Sequence, residues 1–198
     1  MENEKLFDLW AKRDPQWEIR YEDSIIKAFC DYGKGNNQLT DARGKILGAG
    51  YEIFIFAFFI GLYFDRTRPL NQDQSKVKKF GWAIQNWGSF EARNGRQPYP
   101  RLREYIFAAL IAKSDIDFIA LDKGEIKPRQ VVDELIQKME EYANFGFHFI
   151  EDKMIDNPDH YFKETSFLRT FLDFLPKESM AQKVDIDAES EDEPESLD

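Results

Sequence analysis

Cysteine occurs once, at Cys30, and histidine twice, at His148 and His160, in a chain of 198 residues. A single cysteine excludes an intrachain disulfide and fits a reducing compartment. In Ile25-Ile26-Lys27-Ala28-Phe29-Cys30 it reads as a small core thiol rather than a nucleophile. With two histidines, neither in a recognisable motif, no Ser/His/Asp or Cys/His constellation can be argued. His148 and Glu151 stand three apart with Glu141 two turns earlier, yet a di-iron bundle uses Glu-x-x-His on paired helices. Here the order is reversed and no second copy exists. His148, inside Phe145-Gly146-Phe147-His148-Phe149, reads as a half-buried structural histidine, and His160 as a helix-start residue. Neither a metal nor any other cofactor is expected.

Long apolar runs are missing too. The stretch Tyr51–Phe64 is shorter than the about 20 residues a spanning helix needs. No apolar segment follows a basic start, so no signal peptide is read. A cytoplasmic protein with no membrane partner is expected. The glycines of Arg43-Gly44-Lys45-Ile46-Leu47-Gly48-Ala49-Gly50 lack the Gly-Lys-Ser/Thr ending of a phosphate loop, and no clear strand precedes them. Small residues that let a helix pack closely are the better account. The acid pairs Asp115 and Asp117, Glu140 and Glu141, and Glu151 and Asp152 are adjacent surface acids. Glycoside hydrolysis needs two carboxylates facing each other across a cleft.

What the chain has in abundance is apolar and aromatic side chain: 42% hydrophobic residues, 18 of them Phe. Tyr51–Phe64 carries one residue charged at neutral pH, Glu52. The run would also suit a buried strand, but its neighbours read as helical, and a helix apolar on all sides must be enclosed by other elements or by lipid. It stops in Asp65-Arg66-Thr67-Arg68-Pro69-Leu70, where Pro69 forbids continuation. Around it the spacing predicts a short helix over 4–13, interrupted by Asp14-Pro15, and a second from about Glu22 to Tyr32. Another is predicted from a cap at Asp73 or Ser75 to near Gly88, burying Phe80, Ala83, Ile84 and Trp87. The next follows Pro100, with Leu102, Tyr105, Ile106, Ala109 and Leu110 inward. Residues 115–126 read either as a short helix ending near Gly124 or as a small hairpin. Pro128 opens a long helix along Val132, Leu135, Met139, Tyr142, Gly146 and Phe149. A last helix over about 159–175 turns Tyr161, Leu168, Phe171, Leu172 and Leu175 inward. The expected fold is an all-α bundle of six or seven helices around a central one at about 50–64. It forms a single helical domain, 1–176, followed by a disordered acidic tail, 177–198.

The net charge of −10 is mostly that tail. Asp185, Asp187, Glu189, Glu191, Asp192, Glu193, Glu195 and Asp198 are eight acids with no base among them, and without them the body is near −2. Residues 66–103 run the other way. Arg66, Arg68, Lys76, Lys78, Lys79, Arg93, Arg96, Arg101 and Arg103 oppose only Asp73 and Glu91, a net of +7. If both flanking helices form, Lys76, Lys78 and Lys79 open one and Arg101 and Arg103 the other. Cations at helix N-termini are unfavourable, by roughly 0.3–1 kcal/mol each before screening. A bound anion reverses that sign. The reading is a surface for nucleic-acid phosphates or another polyanion, with those nine side chains as contacts. A solvated basic face, offset by Asp73, Glu91 and Glu104, is the plain alternative. Trp82, Trp87, Phe90 and Tyr99 lie among the bases and offer stacking surfaces, although core packing is the expected role of Trp82 and Trp87. The tail either pairs with this surface in cis or only solubilises.

At Glu52–Leu70, an apolar helix with Phe54, Phe56-Ala57 and Gly61 runs into Arg66-x-Arg68-Pro69-Leu70. This resembles a segment of small helical proteins encoded with bacterial DNA phosphorothioation (sulfur-modification) systems. The resemblance implies an all-α accessory protein of a DNA-modification or phage-defence system that contacts DNA. Two further readings stay open: a protein-interaction subunit with an exposed aromatic patch, and an enzyme, such as a carboxylate-based hydrolase, with a site on Glu52, His148 or paired acids.

Overall fold

The computed structural model describes residues 5–30, 47–89, 98–163 and 165–172. The chain divides into two compact units, Met1–Pro158 and Asp159–Asp198. The described residues hold seven α-helices and one two-stranded sheet, as the all-α reading expects.

In the first unit the predicted central helix is α3 (Gly50–Phe64); Ile53, Phe54, Ala57, Phe58 and Ile60 have no exposed surface. It packs along α6 (Pro128–Asp156), which begins at Pro128 as the sequence indicates. Val132, Leu135, Met139, Tyr142 and Gly146 of the predicted seam are buried, and Phe149 is half-buried. The two helices touch backbone to backbone. A Cβ on Gly146 would stand 1.9 Å from the Ala57 carbonyl oxygen, and one on Gly61 would stand 2.2 Å from that of Tyr142. The small residues that allow close approach are thus these two. Of the 43–50 run, residues 43–46 lie outside the described residues.

Helix α3 ends at Phe64, five residues before Pro69. Asp65 takes a left-handed conformation (φ 50°), and the Arg66 N–H donates to the Gly61 carbonyl at 3.0 Å, a glycine-type cap made by an aspartate. The Asp65 carboxylate accepts from Lys113 (2.8 Å) and from the Tyr142 hydroxyl (3.1 Å), and these bonds hold its pKa below the usual carboxylate range.

Helix α1 (Leu6–Ala11) buries Trp10 and precedes strand β1 (Gln16–Glu18). The helix predicted from Glu22 is a π-helical turn, Glu22–Ile26, followed by one α-helical turn, α2 (Lys27–Phe29). Cys30, buried as expected, is extended and bridges to Leu47, which draws the chain out of the helix. Tyr32 lies outside the described residues.

The largest departure is at 73–88, where no α-helix forms. A 3-10 turn at Gln74–Lys76 leads to strand β2 (Val77–Lys79), and a second 3-10 turn follows at Ile84–Asn86. β2 pairs antiparallel with β1, Gln16 opposite Lys79 and Glu18 opposite Val77. The amides a helix would bond internally are claimed from a distance instead. Gly81 and Trp82 donate to Asp14 Oδ2 at 2.8 and 3.1 Å, and Ile84 to the Arg13 carbonyl at 2.9 Å. Gly81 has φ +74°, which a helix cannot contain. Ile84 and Trp87 are buried as the spacing indicates, by a chain that is not helical.

Helix α4 (Leu102–Ala112) buries Ile106 and Leu110, but Tyr105, expected inward, is 65% exposed. Residues 115–126 resolve as a short helix, α5 (Phe118–Asp122), whose first N–H groups are capped by Asp117. Among the described residues, no helix is long and apolar enough to cross a membrane.

The second unit has a 3-10 turn, His160–Phe162, and α7 (Ser166–Leu172). Tyr161 is buried and stacks on Phe167 with centroids 4.9 Å apart. Leu168, 58% exposed, and Leu172 face outward, against the expectation for a longer helix. Leu175, the end of domain 1–176 and the acidic tail lie outside the described residues.

Candidate nucleic-acid interface

Of the nine predicted contacts, Arg93 and Arg96 lie outside the described residues, as do Phe90 and Glu91. The other seven fall into groups. Lys76, Lys78 and Lys79 do not open a helix, so no helix start calls for an anion there. Lys76 ends the 3-10 turn, 4.0 Å from Asp73, and Lys78 pairs with Glu22 at 3.1 Å and reaches over the Trp17 ring. Lys79, at the end of β2, is exposed and has no ion pair with a described residue. The second helix start stands. Arg101 immediately precedes α4 and is exposed. Arg103, in its first turn, donates from Nε to the Pro100 carbonyl (3.0 Å) and from its terminal nitrogen to the Gln85 carbonyl. Both acceptors are neutral, so the guanidinium charge is not cancelled.

Arg66 and Arg68 belong elsewhere. They follow the C-terminal end of α3, where the Arg68 N–H donates to the Glu141 carbonyl at 3.0 Å. Asn144 Nδ2, buried on α6, donates to the carbonyls of Arg68 (3.3 Å) and Pro69 (2.9 Å) and to Glu18 Oε1 (3.0 Å). Glu18 also accepts from the Asn71 N–H at 3.0 Å and from Arg20 Nε at 2.8 Å. The Arg66–Leu70 segment is thereby fastened to α6. Near the other end of α3, Tyr99 donates to Glu52 Oε1 at 2.7 Å, and the Gly88 N–H to the Tyr51 hydroxyl at 3.3 Å. Burial and the neighbouring Glu52 carboxylate push the Tyr99 hydroxyl pKa up. Tyr99 leads directly to Arg101. Because α3 has 15 residues, the two arginine pairs flank opposite ends of a helix about 22 Å long.

What the fold does gather is the loop after β2. Lys79 precedes it, Trp82 stands within it, and Arg103 is bonded to it at Gln85. Trp87 is buried and stacks on Tyr51 at 5.3 Å, as core packing requires. Trp82, expected beside it in the core, is 40% exposed. Asp14, which holds this loop, was legible only as a helix interruption before Pro15.

The sites weighed for chemistry do not assemble. Glu52 accepts from Tyr99 and from the Gly48 N–H (2.7 Å) at the start of α3. His148 sits 3.6 Å from Asp152 one turn on. Among the described residues no three His, Cys, Asp or Glu side chains converge as metal ligands would. Of the acid pairs, Asp117 is a helix cap and Glu140 Oε1 accepts the Gln16 N–H at 2.7 Å. Burial lifts the Glu140 pKa to about 7, against the pull of that N–H, Lys79 and Arg13. Comparison with protein-family models, with curated proteins and with solved structures found no match for this chain.

Proposed function

We propose that this is a non-enzymatic accessory protein that binds nucleic acid through a basic surface centred on Lys79, Arg101 and Arg103. One observation carries the reading. Five of the seven described cations of 66–103, Arg66, Arg68, Lys79, Arg101 and Arg103, form no ion pair with a described residue, Lys79 only exerting a pull on Glu140. Bases left without an ion-pair partner favour a negatively charged ligand. Lys79 and Arg103 border one rigidly held loop, while Arg66 and Arg68 stand apart and serve as a second, weaker contact. The resemblance at Glu52–Leu70 adds the setting: an accessory role in DNA modification or phage defence, in the cytoplasm.

The test is fluorescence anisotropy of full-length protein with labelled oligonucleotides across a salt series. Affinity should fall steeply with salt, log K dropping by about 0.9 per phosphate contact on duplex and about 0.7 on single strands. Charge reversal at Lys79 and Arg101 together should weaken binding at least tenfold, and reversal at Arg66 should weaken it less. No affinity at low salt, with residues 185–198 removed as well, rejects the reading.

The exposed side chains of Tyr105, Phe118 and Ile119, the last 69% exposed, favour a second reading, a protein-interaction subunit. Size-exclusion chromatography with a candidate partner separates the two.

A further inference from the structure

The first backbone N–H of β1, at Gln16, donates to Glu140 Oε1 on α6 at 2.7 Å, and this bond fixes where the carboxyl stands. Gln16 is the register partner of Lys79, so the carboxyl is tied to the end of the β1–β2 ladder that carries an exposed lysine. Facing Cα atoms in such a ladder are about 4.5–5.5 Å apart. Arg13, just before β1, pairs with Asp133 on the same helix as Glu140. The Glu140 carboxyl is half-buried. Burial lifts its pKa to about 7, the Gln16 N–H, Lys79 and Arg13 pull it down, and Glu141 adds to the rise.

The other charged groups on the elements packed against α6 are engaged or exposed. Asp8 of α1 is exposed, Asp14 accepts from Gly81 and Trp82, and Glu18 of β1 pairs with Arg20. Lys78 of β2 and Glu22 pair with each other, and Glu22 and Asp23 with Lys27. Helix α3 brings only Glu52, which accepts from Tyr99; α4 brings Arg103, bonded to two carbonyls, and Glu104, exposed.

Lys79 thus acts on a negative charge that is present above about pH 7 and absent below it. Protonating the carboxyl removes that charge and leaves an oxygen to accept the Gln16 N–H, so the strand stays in place. A phosphate arriving at Lys79 repels an ionised Glu140 and raises its affinity for a proton. By reciprocity, the proton raises affinity for the phosphate by the same factor.

We propose that Glu140 is a proton-controlled counter-charge to Lys79, so that a polyanion binds there with uptake of a proton, more tightly in mildly acidic than in mildly alkaline solution. This rests on the polyanion reading above and adds its regulation.

The experiment uses full-length protein and a labelled DNA duplex at fixed ionic strength, from about pH 6 to about pH 8.5. Wild-type affinity should fall about threefold or more across that range. Glu140→Gln, which keeps an acceptor for Gln16 without a charge, should bind throughout as the wild type does at the acid end. Imidazoles also change charge in this window, and Glu140→Gln leaves His148 and His160 in place. A wild-type pH profile retained in that variant therefore overturns the inference, as does wild-type binding that is flat with pH. A second readout needs no ligand. Carboxyl-carbon NMR of the free protein should show Glu140 titrating near pH 7, and Lys79→Gln should move that midpoint up, because a charge that favours the ionised form is gone. A midpoint unmoved in Lys79→Gln overturns the inference whether or not nucleic acid binds. Absence of wild-type binding at any pH, with that coupling intact, instead defeats the polyanion reading, and the inference falls with it.

Discussion

At the scale of single residues, Glu140 is the side chain whose protonation the fold controls most consequentially. Its carboxyl is half-buried on α6, accepts the first N–H of β1, and is pushed up to about 7 by burial, with Glu141 adding to the rise. A carboxyl whose folded pKa exceeds its unfolded one costs stability where the unfolded chain is already ionised. Stability should therefore fall as pH rises from about 4.5, and level off above about 7. The total is at most on the order of 3 kcal/mol. Thermal melts between pH 5 and 8 should show this decline, and Glu140→Gln, which keeps an acceptor for Gln16, should flatten it. An unchanged slope in the variant would remove Glu140 as the cause. Glu18 is the contrasting case. Also buried, it is paired with Arg20 and Asn144 and accepts the Asn71 amide, so removing it strands several donors at once.

At the scale of elements, the crossing of α3 and α6 decides how the core closes. Glycine to alanine in a helix interior ordinarily stabilises by about 1 kcal/mol. At Gly146 the sign should reverse, since the new methyl would meet the Ala57 carbonyl at 1.9 Å and backbone has no rotamer to escape into. Gly146→Ala should lower stability by about 1–3 kcal/mol, read as a lower denaturant midpoint. Gly61 makes the reciprocal contact one turn away. Gly61→Ala together with Gly146→Ala should cost less than the sum of the two, because helices parted by one methyl admit the other. Strict additivity would mean that the two contacts yield independently.

At the scale of the whole molecule, charge is divided between a basic stretch and an acidic end. The eight acids of 185–198 sit in a chain whose body is near neutral, so their removal changes the long-range field more than any point substitution does. Deleting 185–198 should strengthen nucleic-acid binding at low salt, and the gain should shrink as salt screens it, since the Debye length is about 8 Å at physiological ionic strength. Equal affinity with and without the segment in low salt would assign it to solubility alone.

Much of the architecture could be read locally. Tyr51–Phe64 is apolar on every side and Pro128 heads a long periodic seam, so α3 and α6 follow from short-range pattern and burial. The aromatic cluster around Phe54 follows less well: Trp87, expected in the core, meets it ring to ring, but so does Phe147, which the seam read from the sequence passed over for Phe149. The stretch 73–88 could not be read in this way. Phe80, Ala83, Ile84 and Trp87 have helical spacing, but their backbone answers to β1 and to Asp14, which lies 67 positions from Gly81. No local window contains that acceptor. For the same reason the sequence could count nine bases but could not group them: α3 sets Arg66 and Arg68 at one end and Arg101 and Arg103 at the other.

What the chain's own order of residues determined is the helical class, the central helix and the sign of charge along it, because these depend on neighbours a few positions apart. Which lysine meets an acid, which arginines share a surface and which tryptophan faces water were decided only on folding. Those outcomes turn on hydrogen bonds and packing between residues far apart in the chain.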